Sequence, residues 1–270
     1  MDAGRLSLNQ ITVNALSLPE AVEACGRHEI PALAVWRDKI ADVGLARAAS
    51  LVRDAGLHVS SVCRGGMFTD PAADRAAVLD DNRRAVEEAA ELGADVLVLV
   101  CGPLPDTDLP AARDRVRSGV EALLPFAREA GVKLGIEPLH PMMIAERSVV
   151  STLGQALDLA EDLDAAGDDL GVVVDAYHVW WDPALAEQIA RAAGRILGYH
   201  VSDWLPRTTD LLLDRGMMGD GLIDLPTLSA QVAAAGYAGP VEVEILSADL
   251  WRQDVDDVLR TVRKRFEECV

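Results

Sequence analysis

Short apolar runs alternate along the chain with longer stretches in which Ala, Val and Leu recur every three or four positions among Arg, Asp and Glu. The apolar runs predict strands over 5–13, 31–36, 57–63, 94–101, 132–138, 170–175, 196–203 and 240–246. ADVLVLVC, VKLGIEP, LGVVVDA and GPVEVEI are apolar almost throughout, as parallel strands covered on both faces must be. The stretches between them predict amphipathic helices over 72–92, 109–130, 152–166, 183–194, 224–235 and 251–268, each with one apolar stripe to bury.

Punctuation residues agree with this reading. Gly56, Gly93, Gly131 and Gly236 stand where helices must end ahead of a strand, and Pro19, Pro71, Pro110, Pro183 and Pro226 stand at or near first helical turns. Eight strand–helix repeats with no long polar linker predict an α/β fold, a single (β/α)8 TIM barrel spanning 1–270. The competing open, doubly wound sheet would be expected to carry a GxGxxG phosphate loop after an early strand, and none is present. Two connections are long: 102–109, which is proline-rich, and 204–223, whose Gly216, Gly219 and Gly221 would let it close over a ligand.

The length, 270 residues, suits one barrel, whose usual size is roughly 250. A formal charge of −19 repels phosphate backbones and anionic lipid, so nucleic acid and membranes are poor partners and a small-molecule substrate is expected. Cys25, Cys63, Cys101 and Cys269 lie far apart with no CxxC pair, as reduced core thiols would. The first residues lack a signal peptide's apolar segment, and no run approaches bilayer length. The expected location is the cytoplasm.

In such barrels chemistry sits at the C-terminal ends of the strands. The fifth strand ends in GIEPLHP with Glu137, the sixth in VVVDAYH with Asp175, the seventh in LGYHVSD with His200 and Asp203, and the eighth, VEVEILS, carries Glu242 and Glu244. A carboxylate after several buried aliphatics is costly unless paired, hydrogen-bonded or bound to a metal. Closure makes these four strands neighbours, so Glu137, Asp175, His200 and Glu244 are expected to converge on one divalent ion, Mn²⁺, Mg²⁺, Co²⁺ or Zn²⁺. Glu242 shares the parity of Glu244 and is expected deeper, paired with Arg64 or Lys133. His178 and His140 follow strand ends and are candidate substrate contacts, His140 also an acid/base. His28 and His58 precede strands and read as structural. Trp36, Trp180, Trp181 and Trp204 follow strands and offer faces for sugar C–H surfaces.

The motifs GIEPLHP, VVVDAYHVWWDP, GYHVSDW, RGMMGDGLIDL and VEVEIL, in this order and spacing, resemble the sugar phosphate isomerase/epimerase superfamily of xylose isomerase-like barrels, including ketose 3-epimerases and inosose isomerases. The likeness spans essentially the whole chain and is densest from 132 to 246. It implies that Glu137, Asp175, His200 and Glu244 bind one divalent metal, Mn²⁺ first among the candidates. It implies further that Glu137 and Glu244 act as the acid/base pair through a metal-stabilised enediolate of a keto sugar, inosose or sugar phosphate. His178 and Arg215 would hold substrate oxygens, with Asp203 and Trp36 as further contacts. The loop departs from the family in carrying Met218 where proline is usual. A related branch, the C-glycoside deglycosidases, suggests an alternative: a lyase cleaving a 3-oxo-glycoside, with His140 as base and a small second subunit. Homo-oligomers are common among such barrels. The endonuclease IV type of the same fold would need a histidine-rich zinc cluster and a basic groove, which five histidines and this charge do not supply.

Overall fold

Residues 1–167 and 169–270 are described by the computed structural model. The apolar runs form strands because both of their faces are covered: all six residues of Leu170–Asp175 are buried, as are all five of Val96–Val100. In chain order the strands are β1 (Leu6–Asn9), β2 (Ala32–Trp36), β3 (His58–Gly66), β4 (Val96–Val100), β5 (Lys133–Ile136), β6 (Leu170–Asp175), β7 (Ile196–Val201), β8 (Asp203–Trp204), β9 (Arg215–Gly216) and β10 (Val241–Val243). β1 to β7 and β10 pair in parallel and close into an eight-stranded TIM barrel, with β10 between β7 and β1. β8 and β9 form a separate antiparallel ribbon.

Helices cover the outside. The last one, Val255–Cys269, turns Val258, Leu259, Val262 and Phe266 inward, all buried; each such side chain contributes about 1.5–3 kcal/mol by leaving water. Local chemistry sets the helix ends. Asp108 and Asp224 accept from the backbone amides of Ala111 and Thr227, with Pro110 and Pro226 in the first turns. Gly93 and Gly131 end their helices at φ 64° and 70°, a left-handed conformation that glycine adopts without a Cβ clash.

Some boundaries differ from expectation for visible reasons. The run 5–13 is a strand only to Asn9, because the Asn9 side chain accepts from the Ile11 amide and starts a 3₁₀ turn over Gln10–Val13. The last strand is assigned only to Val243, where the Thr12 hydroxyl donates to the Val243 carbonyl and accepts from the Ile245 amide. Helices Leu18–Arg27, Arg37–Val43 and Leu45–Asp54 had no predicted spans beyond the mark at Pro19; the last two abut at Gly44. Pro71 lies in a turn ahead of the helix Arg75–Leu92.

Candidate metal centre

Register brings the four candidate ligands level. Asp175 of β6 pairs with His200 of β7, and Glu242 of β10 pairs with the same His200. Glu137 follows β5 by one residue and keeps the ladder, its amide donating to the Leu99 carbonyl; Glu244 does likewise with Val201. One donor atom from each of Glu137, Asp175, His200 and Glu244 lies within 4.8 Å of the others, and all four residues are buried. Ligands across a small divalent ion stand on the order of 4–5 Å apart, so the set is spaced to share one cation.

His200 is the centre of the arrangement. Its Nδ1 lies 3.3 Å from Glu137 Oε1 and 3.3 Å from Glu244 Oε2. Its Nε2 faces Glu242 Oε2 at 3.2 Å, on the far side of the ring. Glu242 therefore does not pair with Arg64 or Lys133, as the strand parity suggested. Instead it accepts from Asn9 Nδ2 (3.2 Å) and from the Ser60 hydroxyl (2.9 Å), which in turn contacts Ser7 Oγ at 2.7 Å. These residues belong to β1 and β3, so a hydrogen-bonded chain crosses the barrel interior beneath the cluster. A carboxylate behind a metal-ligating imidazole fixes the ring and its tautomer, leaving the other nitrogen free to ligate.

The electrostatics ask for a cation. Burial raises the Glu137 carboxyl, reinforced by Glu244, and hydrogen bonding to His200 only partly offsets it, leaving the pKa at about 7. Burial opposes charge on His200 as well, but Glu242, Glu137 and Glu244 outweigh it and raise the pKa well above that of free imidazole. Glu244 runs the other way: burial is overcome by Arg215 and His200, which bring it to about 2. The cluster thus retains a proton near neutrality because the carboxylates have too few positive partners. Glu137 Oε1 is buried, and its close donor, His200 Nδ1, is shared with Glu244. Three carboxylates sharing one imidazole fit a divalent cation in place of that proton.

Arg215, in β9, closes the cluster from above. Its Nη1 donates to Asp175 Oδ2 at 2.8 Å and approaches Glu244 Oε2 at 3.4 Å, while Nη2 lies 3.0 Å from His178 Nε2. Asp175 Oδ1 is taken by the Tyr177 amide, so this aspartate also caps the short helix Ala176–Val179. His178 is buried; burial first, and Arg215 after it, hold its pKa down to about 3 despite Asp175. It is therefore neutral, and with Arg215 donating, Nε2 is an acceptor.

His140 stands farther out, half-buried between Trp181 (ring centroids 5.4 Å apart) and Trp204 (5.1 Å). Its backbone amide lies 3.3 Å from His178 Nδ1. Tyr177 stacks on Trp204 at 4.8 Å and lies under the Arg215 guanidinium at 4.5 Å. This aromatic wall continues from the centre. Trp36 is on the other side of the rim, where its Nε1 donates to Asn9 Oδ1 and its ring lines an open cleft of about 790 Å³ with Arg37, Asp38 and Arg64. The Asp203 carboxylate is turned toward its own loop, accepting from the amides of Trp204, Gly219, Gly221 and Ile223. That fills its acceptor sites and ties the glycine segment down. A Cβ on Gly221 would stand 2.4 Å from Asp203 Oδ1, so the tie requires glycine there.

Sequence reasoning did not single out Tyr177, Asn9, Ser7 or Ser60. Ser7, Asn9 and Ser60 are neutral polar residues inside strands, which give no cost signal of the kind a buried charge gives, and only closure brings them beneath Glu242; Tyr177 lies in the helix Ala176–Val179 and meets Trp204 and Arg215 only in the fold. The cysteines are unpaired, three of them buried, and burial raises the Cys101 thiol to about 12.

The xylose isomerase-like TIM barrel family matches residues 20–265. The chain belongs to that family. A crystal structure of protein SMc04130 from Sinorhizobium meliloti 1021 is 50% identical, with a TM-score of 0.95 over 99% of both chains. The ketose 3-epimerase of Arthrobacter globiformis is 27% identical over 83% of this chain and 71% of its own. The L-ribulose-5-phosphate 3-epimerase of Salmonella paratyphi C is 26% identical over 73% of this chain and 68% of its own. No helix among the described residues is long and apolar enough to cross a membrane.

Proposed function

We propose that this member of the xylose isomerase-like family is a divalent-metal-dependent isomerase or epimerase of a keto sugar, an inosose or a sugar phosphate. The observation that carries the reading is the convergence of Glu137, Asp175, His200 and Glu244 on one buried point. These four residues would hold the ion, with Mn²⁺ the first candidate and Mg²⁺, Co²⁺ and Zn²⁺ compatible with the same donors. A bound ion supplies Lewis acidity to a ketone oxygen and its neighbouring hydroxyl.

The remaining work falls to side chains of the chain itself. Glu137 and Glu244 lie on opposite flanks of His200 and are the acid/base pair that removes and returns the proton at the carbon next to the ketone. Arg215 and neutral His178 hold substrate oxygens and the charge that develops when the proton leaves. His140, Trp181 and Trp204 supply an apolar wall for the sugar's C–H face, and His140 is a second polar contact. Trp36 serves the far side of the mouth. Asp203 acts on substrate indirectly, by holding the loop that carries Arg215 and the glycine segment. The free thiols suit a cytoplasmic enzyme. Relatives named as epimerases and isomerases support this reaction class, and no observation favours the glycoside-cleaving alternative.

The test is metal-dependent C–H exchange. Protein stripped of metal and reloaded with Mn²⁺ is incubated in D₂O with a panel of ketoses, inososes and their phosphates. Deuterium entering next to the ketone only in the reloaded protein is the expected result. A panel with no metal-dependent exchange at any member overturns the assignment.

A further inference from the structure

Partly buried arginines in this strongly acidic chain mostly find partners. Arg37 donates to Asp81 and Glu88, Arg113 to the Val149 carbonyl, Arg115 to the Thr69 carbonyl and Arg195 to the Asp164 carbonyl. Two half-buried ones do not. Neither the Arg64 nor the Arg147 guanidinium makes a hydrogen bond or ion pair among the described residues, and both line one hollow of about 200 Å³ with Met67, Val100 and Glu146. Their backbones are fixed. Arg64 is part of β3, while the Arg147 amide donates to the Met143 carbonyl and its own carbonyl accepts from Gly102. Glu146 borders the hollow but is exposed and pairs with neither.

Two like charges, partly withdrawn from water and unpaired in a chain of net charge −19, cost free energy that an anion between them recovers. Burial, then Arg64 and Arg215, hold Arg147 below its usual pKa. Arg64 and Met67 also line the 790 Å³ cleft beside Trp36, so the hollow and that cleft share a wall.

We propose that Arg64 and Arg147 form an oxyanion subsite, and that the substrate carries a phosphate or carboxylate group which rests there while its ketone end lies at the four-residue centre. This deepens the isomerase reading and, for the placement of the ketone, rests on it. Guanidinium forks match the paired oxygens of either group. The subsite selects anionic keto sugars over neutral ones.

The probes are inorganic phosphate and acetate, titrated calorimetrically into the Mn²⁺-loaded protein and its R64Q, R147Q, R64K and R147K variants. Metal content and thermal midpoint are measured on each sample. The expected result is saturable one-to-one binding of at least one probe, weakened about 10- to 100-fold by each Gln variant, less by each Lys variant, with metal content and midpoint kept. Phosphate alone binding assigns a phosphorylated substrate, and acetate alone a carboxylate. Binding that is absent for both probes, or equal in wild type and Gln variants, overturns the subsite. Metal retained without arginine-dependent binding defeats this inference alone; arginine-dependent binding in a protein that holds no metal defeats the metal centre and leaves the subsite standing.

Discussion

The two ends of the barrel use the same residue types to opposite effect. At the N-terminal end, the Asp164 carboxylate is 2% exposed yet fully matched: it accepts from the Asp169 and Leu170 amides and pairs with Arg128 at 2.7 Å. Burial would raise its pKa, but those amides and Arg128 win and lower it. At the same end of the barrel, His58 and Asp95 meet at 2.6 Å, each more than 40% exposed. At the C-terminal end the buried carboxylates face one another around His200, and Glu137 is driven up instead of down. A matched buried charge stabilises a fold, whereas an unmatched one is retained at a cost that binding a ligand recovers. The lesson is that burial alone does not mark a site; burial without donors does.

Replacement at the unmatched end carries the largest effect. Glu137→Gln or Glu244→Gln is expected to lower metal-dependent exchange by about 100- to 10,000-fold, the usual weight of a general acid or base; deuterium incorporation measured on samples of known metal content checks it. Glu242→Gln touches no substrate, so its expected effect is on the ion: affinity about 10- to 100-fold weaker, measured by competition with a chelator. Both arms sharpen the comparison, because the first removes a reacting group and the second only the support behind His200.

At the matched end the readout is stability. Asp164→Asn is expected to cost about 1–3 kcal/mol at pH 7 through its charged hydrogen bonds. The sign follows from its lowered pKa: the stabilisation is full above the unfolded-state value near 3.9 and is lost as pH falls through the folded value. Denaturant melts at pH 7 and pH 3 should therefore show the gap between wild type and Asp164→Asn narrowing in acid. Asp95→Asn, which breaks an exposed pair, is expected to change stability by no more than about 0.5 kcal/mol. A loss of several kcal/mol there would break the contrast between exposed and buried pairs.

The four candidate ligands were legible because each charged or imidazole group ends or interrupts an apolar run, and a charge in that place is expensive on any fold. The barrel was legible for a related reason: strands such as Val96–Val100 and Leu170–Asp175 are too apolar for one-sided exposure. What stayed hidden depends on closure. Ser7, Asn9 and Ser60 are unremarkable in sequence, and only the β1–β10 and β2–β3 pairings carry them under Glu242. Asp203 was expected to contact substrate; its partners are backbone amides of residues 204–223, which have no signature in the sequence. Arg147 was silent and Arg64 was expected as a partner for Glu242, since an arginine lacking a partner looks like any other until its neighbours are placed.

Anomalous diffraction from a crystal of the Mn²⁺-loaded protein tests the central claim most directly. The account predicts one strong peak about 2.0–2.6 Å from a single donor atom of each of Glu137, Asp175, His200 and Glu244. A loaded crystal with no peak there, or with its peak at other side chains, would contradict it.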